Sequence, residues 1–281
     1  MQKSIHSFDN VRIHYNRTSG NGPVLVFLHG AGGDLTIWKY QQEFFHMKGI
    51  ATIAIDLRGH GKSDRPSSKH SYKIVAFSHD IQCVLDAEKV INPVLIGHSF
   101  GGMVLVNYHH HYPKNALAYC MVDTSYAGPK KIKSAFNQHN WLAHKLDWLM
   151  EKVTVKKTYM SHEAYEKYIG SSEISFGRML SDIRSTSIKS WFFTYEQVAH
   201  FSAKKVLSTI WQPVLIIEGG NDKITDVSVA QTMSTIIKNA KLQIIPFENH
   251  IITINNPISV TETLYAYLQD MHFIEPHQKT L

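Results

Sequence analysis

"PVLIGHSFGGMVLVNYHHHYP", residues 93–113, sets one serine among three glycines, between a short apolar run and a longer amphipathic one. The run from Pro93 to Ser99 is nearly continuous in Val, Leu and Ile, the pattern of a strand covered on both faces. From Phe100 to Tyr112 the apolar residues recur at helical intervals. Gly97, Ser99 and Gly101 form G-x-S-x-G at that junction, where the chain must reverse within two residues. Glycine removes the side chains that would collide. The serine is then held in a strained conformation, its hydroxyl above the strand ends at the positive start of the next helix. Taken alone, the same residues also suit a glycine-rich helix entry with Ser99 as its N-cap.

Working outward, the same alternation recurs. Segments 23–30, 50–59, 93–99, 116–125, 213–222 and 241–250 read as buried strands, each closing on a Gly- or Asp-rich turn. Segments 78–90, 100–112, 227–240 and 257–271 carry helical apolar spacing. Strand and helix in turn imply an α/β fold with a mostly parallel, doubly wound sheet and right-handed crossovers. "VRIHYN", 11–16, alternates with period two, as an edge hairpin strand would.

The alternation breaks from 126 to 210, a stretch rich in Trp, Tyr, Phe and Met with amphipathic helical patterning. Structureless loops of this length are rare, so it reads as an inserted helical cap. The expected organisation is a core of residues 1–125 and 211–281 with a cap of 126–210. That segment holds thirteen Lys/Arg against seven Asp/Glu, which equals the whole net charge of +6. A solvated basic face explains the excess, since no nucleic-acid recognition motif accompanies it.

A chain of 281 residues with 43% hydrophobic side chains can bury a full core. No segment approaches the roughly 18 uncharged apolar residues of a membrane span, and the start lacks a signal-peptide apolar region. These features predict a cytoplasmic protein without a membrane span. Two cysteines, Cys83 and Cys120, lie in apolar runs and read as reduced core thiols.

A serine hydroxyl is a poor nucleophile at neutral pH; it needs a base, and the base an orienting acid. "LIIEGGNDKI" places Asp222 in the loop after one predicted strand, and "IIPFENHIITINNP" places His250 in the loop after the next. In a parallel sheet both loops lie at the carboxyl edge with Ser99. "LHGAGGDLTIW", 28–38, brings a glycine-rich backbone to the same rim, where the N–H groups of Ala31 and Phe100 would receive a developing oxyanion. Gly32 takes the place of Ala31 if that loop is shifted by one residue. His109, His110 and His111 close a helix and suit its last carbonyls better than a metal. His98 reads as packing beside the elbow. Neither a metal nor an organic cofactor is expected.

Together "HGAGGD", "DLRGHGKSD", "GHSFGG", "GGND" and "NHIITINNP" resemble the α/β-hydrolase superfamily, in its small-molecule branch with a helical cap. The resemblance implies Ser99 as nucleophile, Asp222 as acid and His250 as base, in the chain order this fold uses. Some relatives place the acid where Asp123 stands. Asn249 departs from the small residue that many relatives have before the histidine. Asp56, Arg58 and Asp64 read as loop scaffolding. The implied activity is hydrolysis of an ester-like bond in a small, largely apolar substrate. Carbon–carbon hydrolases, lactonases and perhydrolases keep the same triad, and a receptor-like ligand-binding protein could keep the shell. Haloalkane dehalogenases and epoxide hydrolases use an aspartate at the position of Ser99.

Overall fold

The computed structural model describes residues 1–136, 141–154, 162, 164–173 and 175–274. Eight strands form one sheet: β1 (Gln2–His6), β2 (Arg12–Thr18), β3 (Asn21–Leu28), β4 (Ile50–Ile55), β5 (Val94–His98), β6 (Ala118–Val122), β7 (Val214–Gly219) and β8 (Ala240–Ile245). Their order is β1-β2-β4-β3-β5-β6-β7-β8. β1 pairs antiparallel with β2 and β2 with β4, and the remaining pairs are parallel. All six predicted buried strands are present, each ending earlier than expected because the turn residues at the carboxyl ends leave the sheet, while β3 begins two residues and β8 one residue earlier.

The near-continuous apolar runs have a direct cause in the packing. Along β5, Leu95 joins one core cluster, while its neighbours Val94 and Ile96 join the other. Val26 and Leu28 of β3 likewise face the first cluster, and Leu25 and Phe27 the second. Successive side chains of a strand point to opposite faces, so a strand buried on both has no polar alternation to show. The helices Ile74–Ala87 and Phe100–His111 cover one face, and Lys39–Met47 and Pro257–Asp270 the other.

Two elements carry no clear sequence pattern. β1 is a half-exposed edge strand. The helix Lys39–Met47 buries Gln41 and Gln42, which interrupts its apolar period. Gln42 Nε2 donates to Thr52 Oγ1 at 2.9 Å, and Gln41 Nε2 to the Pro257 carbonyl at 3.1 Å, so both amides are anchored where apolar side chains were expected.

Strand order reverses at β3: the chain moves to β4 on one side, then crosses to β5 on the other. Such a switch point opens a crevice beyond the strand ends. The Gly30–Ala31 loop and Ser99 border it.

Between β6 and β7 the chain runs through the helices Lys130–Ala135, Trp141–Lys152, Phe176–Thr186, Ile188–His200 and Lys204–Leu207. Ile188–His200 packs against the three that precede it. The insertion leaves and returns at one neck, where Ala127 bridges Ser202 and the Gly128 N–H donates to the Phe201 carbonyl at 2.9 Å. A Cβ at Gly128 would lie 2.2 Å from the Ala199 carbonyl oxygen, so only glycine fits there.

Candidate active site

Ser99 sits between β5 and the helix Phe100–His111 at φ 52° and ψ −115°, with no capping bond from its side chain. The N-cap alternative is therefore not the one realised. The elbow is tight: a Cβ at Gly97 would lie 2.5 Å from the Gly101 backbone, and one at Gly101 2.6 Å from the Leu28 carbonyl oxygen. Four bonds hold the strained residue, one of them from the Met103 N–H to its carbonyl at 3.2 Å. Its N–H donates to Val122 O at 2.9 Å, and its carbonyl accepts from Gly102 N at 3.0 Å and Thr124 Oγ1 at 2.6 Å.

Ser99 Oγ lies 2.8 Å from His250 Nε2, and His250 Nδ1 lies 2.7 Å from Asp222 Oδ2. With the Nδ1 proton directed at the carboxylate, Nε2 is left to accept the serine proton. Asp222 is itself fixed: its Oδ1 accepts from Ile224 N at 2.7 Å and Thr225 N at 2.8 Å, and its Oδ2 from Thr225 Oγ1 at 2.8 Å. Burial alone would raise the Asp222 pKa, but the His250 and Thr225 bonds hold it below the usual carboxylate range. Burial would likewise lower His250; the bond and charge of Asp222 outweigh it and raise the imidazole above its ordinary 6.5.

Asp123, the alternative acid, follows β6 at φ 44° and accepts the Gly219 N–H at 2.8 Å. Burial pushes its pKa up to about 7. The imidazole donates to Asp222, not to Asp123, and Asp123 is bonded instead to Gly219 at the start of the Asp222 loop. His98 Nε2 donates to the His250 carbonyl at 2.8 Å, with burial depressing its pKa to about 3. A neutral ring there supports the base loop.

On the opposite rim, Gly30 and Ala31 border the same cavity as Ser99. The Gly32 N–H donates to His60 Nε2 at 3.2 Å, which removes the donor that a one-residue shift would have used. The Phe100 ring is buried edge-on to Phe77, at 5.0 Å between centroids, and its N–H begins the helix. The cavity holds about 420 Å³. Met103, Ile132, Phe176, Met179 and Trp191 form its apolar walls, and Glu173, Arg178, Asp182 and Tyr195 add polar groups from the insertion.

A family model described as the alpha/beta hydrolase fold matches residues 23–257. The chain belongs to the α/β-hydrolase family. Protein ABHD8 of Homo sapiens is 27% identical over 271 residues, covering 95% of this chain and 60% of that protein. The chain thus spans about three-fifths of the length of these curated relatives. Human epoxide hydrolase 4 is 22% identical, with 92% of this chain and 76% of that protein covered. Among solved structures, Est816, described as an N-acyl homoserine lactone degrading enzyme, is 26% identical with a TM-score of 0.73, covering 94% of this chain and all of that one. An esterase from Exiguobacterium antarcticum shares the fold at 20% identity, a TM-score of 0.74, and coverage of 96% and 100%.

In this α/β-hydrolase the "DLRGHGKSD" residues are framework. Arg58 is fully buried and bonds Asp80 through two nitrogens at 2.6 and 2.7 Å, with Asp9 and the Ser71 carbonyl completing its shell. Asp56 Oδ2 accepts from His14 Nδ1 and His162 Nε2, both at 2.8 Å, and from Lys62 N at 2.9 Å. These three side chains are close enough to hold a metal. As they stand, both imidazoles bond Asp56, which ties β2 and the insertion to the loop after β4. His109 Nε2 donates to the Thr209 carbonyl at 3.1 Å rather than to a last carbonyl of its own helix, and the His110 and His111 rings meet each other at 5.0 Å. Cys120 is buried and Cys83 partly so, both as free thiols. Among the described residues no helix is long and apolar enough to cross a membrane.

Sequence reasoning missed two participants. Thr225 follows Asp222 by three residues in an Asx-turn arrangement that "NDKIT" permits but does not demand. Glu173 comes from the insertion, 50 and 77 residues before the Lys223 and His250 N–H groups it accepts, and no local pattern announces it.

Proposed function

We propose that the protein is a serine hydrolase that cleaves an ester-like bond of a small, largely apolar substrate through an acyl-enzyme. The observation that carries this reading is the unbroken hydrogen-bonded path from Ser99 Oγ through His250 to Asp222 at the edge of an apolar cavity. His250 takes the Ser99 proton as Oγ attacks the carbonyl carbon, and the N–H groups of Ala31 and Phe100 receive the oxyanion. The imidazolium, stabilised by Asp222, returns the proton to the leaving oxygen. Water, deprotonated by the same imidazole, then releases the acid. Each step uses groups of the chain itself. Residues 126–210 act as the cap that shapes the acyl pocket over a core of 1–125 and 211–281.

A lactone is an ester closed into a ring, and the likeness to Est816 makes lactones the second substrate class to try. Epoxide opening is the less fitting chemistry, since Ser99 stands where that reaction takes an aspartate.

The test combines labelling with turnover. A fluorophosphonate probe is expected to label the wild type and not Ser99→Ala, and Ser99→Ala should lose on the order of 10⁴-fold or more in kcat on a short p-nitrophenyl ester. Unlabelled, folded wild type without turnover would replace this reading with a ligand-binding one, and turnover that survives the substitution would remove Ser99 as the nucleophile.

A further inference from the structure

The insertion does more than roof the cavity. Glu173 is 7% exposed, and its Oε1 accepts two backbone N–H groups at once, Lys223 at 2.9 Å and His250 at 3.0 Å. The first follows Asp222 directly; the second belongs to the imidazole residue itself. One oxygen from the insertion therefore fastens the acid loop and the base loop to a common point. Neighbouring bonds extend the attachment. The Ser171 carbonyl accepts from Asn249 Nδ2 at 3.3 Å and Asn255 Nδ2 at 3.2 Å, and the Gly170 N–H donates to Asn255 Oδ1 at 2.9 Å. Arg178 Nη2 donates to the Glu173 carbonyl, which anchors the strap to the helix Phe176–Thr186.

Asn249 acquires a reason in this arrangement. Its amide nitrogen reads the strap, while its Oδ1 accepts from Ile251 N and Asn255 Nδ2, each at 3.1 Å. A small residue at that position would leave the Ser171 carbonyl with one partner fewer. On the basis of the serine-hydrolase reading, we propose that Glu173 is a positioning residue that holds the Asp222 and His250 loops in register from the insertion, so that the catalytic frame is complete only with the strap seated. Without that acceptor the buried His250 N–H would carry a desolvation cost, and the part-buried Lys223 N–H would turn toward water or another partner. The two loops also meet directly, the Asn221 N–H donating to the Glu248 carbonyl at 2.8 Å, and Glu173 adds a side-chain tie at the residue after the acid and at the imidazole residue itself.

The role predicts a signature that packing alone would not give. Facing the His250 imidazole are Asp222 from the loop after β7, Asp123 from the end of β6, His98 from the end of β5, and Glu173 from the strap, whose negative charge favours the protonated ring. Glu173→Gln keeps an oxygen able to accept both N–H groups and removes that charge. Glu173→Ala removes the acceptor as well.

The experiment measures kcat, KM and the pH profile of kcat/KM for a short p-nitrophenyl ester, normalised to fluorophosphonate-labelled sites, in wild type and both variants. Glu173→Ala is expected to lose about tenfold or more in kcat with KM within about twofold, as misplacement of reacting groups does. Glu173→Gln should keep most of kcat and move the acid limb toward lower pH, because a neutral neighbour no longer favours the imidazolium. Wild-type kcat per labelled site together with an unmoved acid limb in both variants would overturn the proposal. So would a rise in KM at constant kcat, which would assign Glu173 to substrate binding. If Glu173→Ala does not fold, the acid limb of Glu173→Gln decides. Wild type that neither labels nor turns over would remove the serine-hydrolase reading, and this proposal with it.

Discussion

Ser99 is held at φ 52°, a region that disfavours side chains, and nothing in its own chemistry prefers it. The cost belongs to the fold. Strain of this kind amounts to about 1–3 kcal/mol and persists only where the surroundings over-determine it, as the Val122, Gly102 and Thr124 bonds do here. Ser99→Gly should therefore abolish turnover while raising stability by about 1 kcal/mol, or about 2–4 °C in Tm for a domain of this size. Thermal melting measures it, and an unchanged or lowered Tm would show that the strain is small. This residue was legible in the sequence because two glycines and an apolar run leave little else for the chain to do. Asp222 and His250 were legible for a related reason: each ends a strand whose direction was already known. Of the two carboxylates, Asp222 is the one hydrogen-bonded to the imidazole. Glu173 and Thr225 were not legible, since a carboxylate or hydroxyl that binds backbone N–H groups across a fold needs no spacing rule.

At the level of elements, the buried parallel strands declared themselves through unbroken Val, Leu and Ile, whereas β1 and the helix Lys39–Met47 did not. Edge exposure in one and buried glutamines in the other erase the periodicities that sequence reasoning uses. The attachment of the insertion to the sheet was equally hidden. His162, from the insertion, reaches Asp56 at the end of β4, and although burial alone would lower its pKa, the Asp56 bond and charge raise it above 6.5. A raised imidazole contributes stability that is complete below 6.5 and is lost as pH climbs through the folded value. His162→Ala should thus cost about 1–2 kcal/mol at acidic pH near 6 and less near pH 9, since a charged partner strengthens the bond. Denaturant unfolding at the two pH values measures this; an equal cost at both would mean that His162 is bonded only as a neutral ring.

For the whole molecule, stability is distributed unevenly. β5 is buried along its entire length, between two strands and two helical layers. The helix Trp141–Lys152 buries Met150 and leaves Leu146, Trp148 and Leu149 about half exposed. Native-state hydrogen exchange should accordingly be slowest in the central parallel strands and markedly faster in Trp141–Lys152, because local opening follows the apolar area that must be uncovered. Protection of that helix equal to β5 would contradict the picture. The neck at Ala127 and Ser202 has a consequence for how such a protein can diversify. A loop closed at its base adds only about 0.6 kcal/mol of closure entropy for each doubling of its length. Helices can therefore be gained, lost or exchanged between Gly128 and Phe201 at little entropic cost wherever they make no tie such as that of His162 to Asp56, and the walls of the cavity can be rewritten with them. What cannot be exchanged freely is the short run from Gly170 to Glu173, where a segment free to vary has been tied to the chemistry that must not.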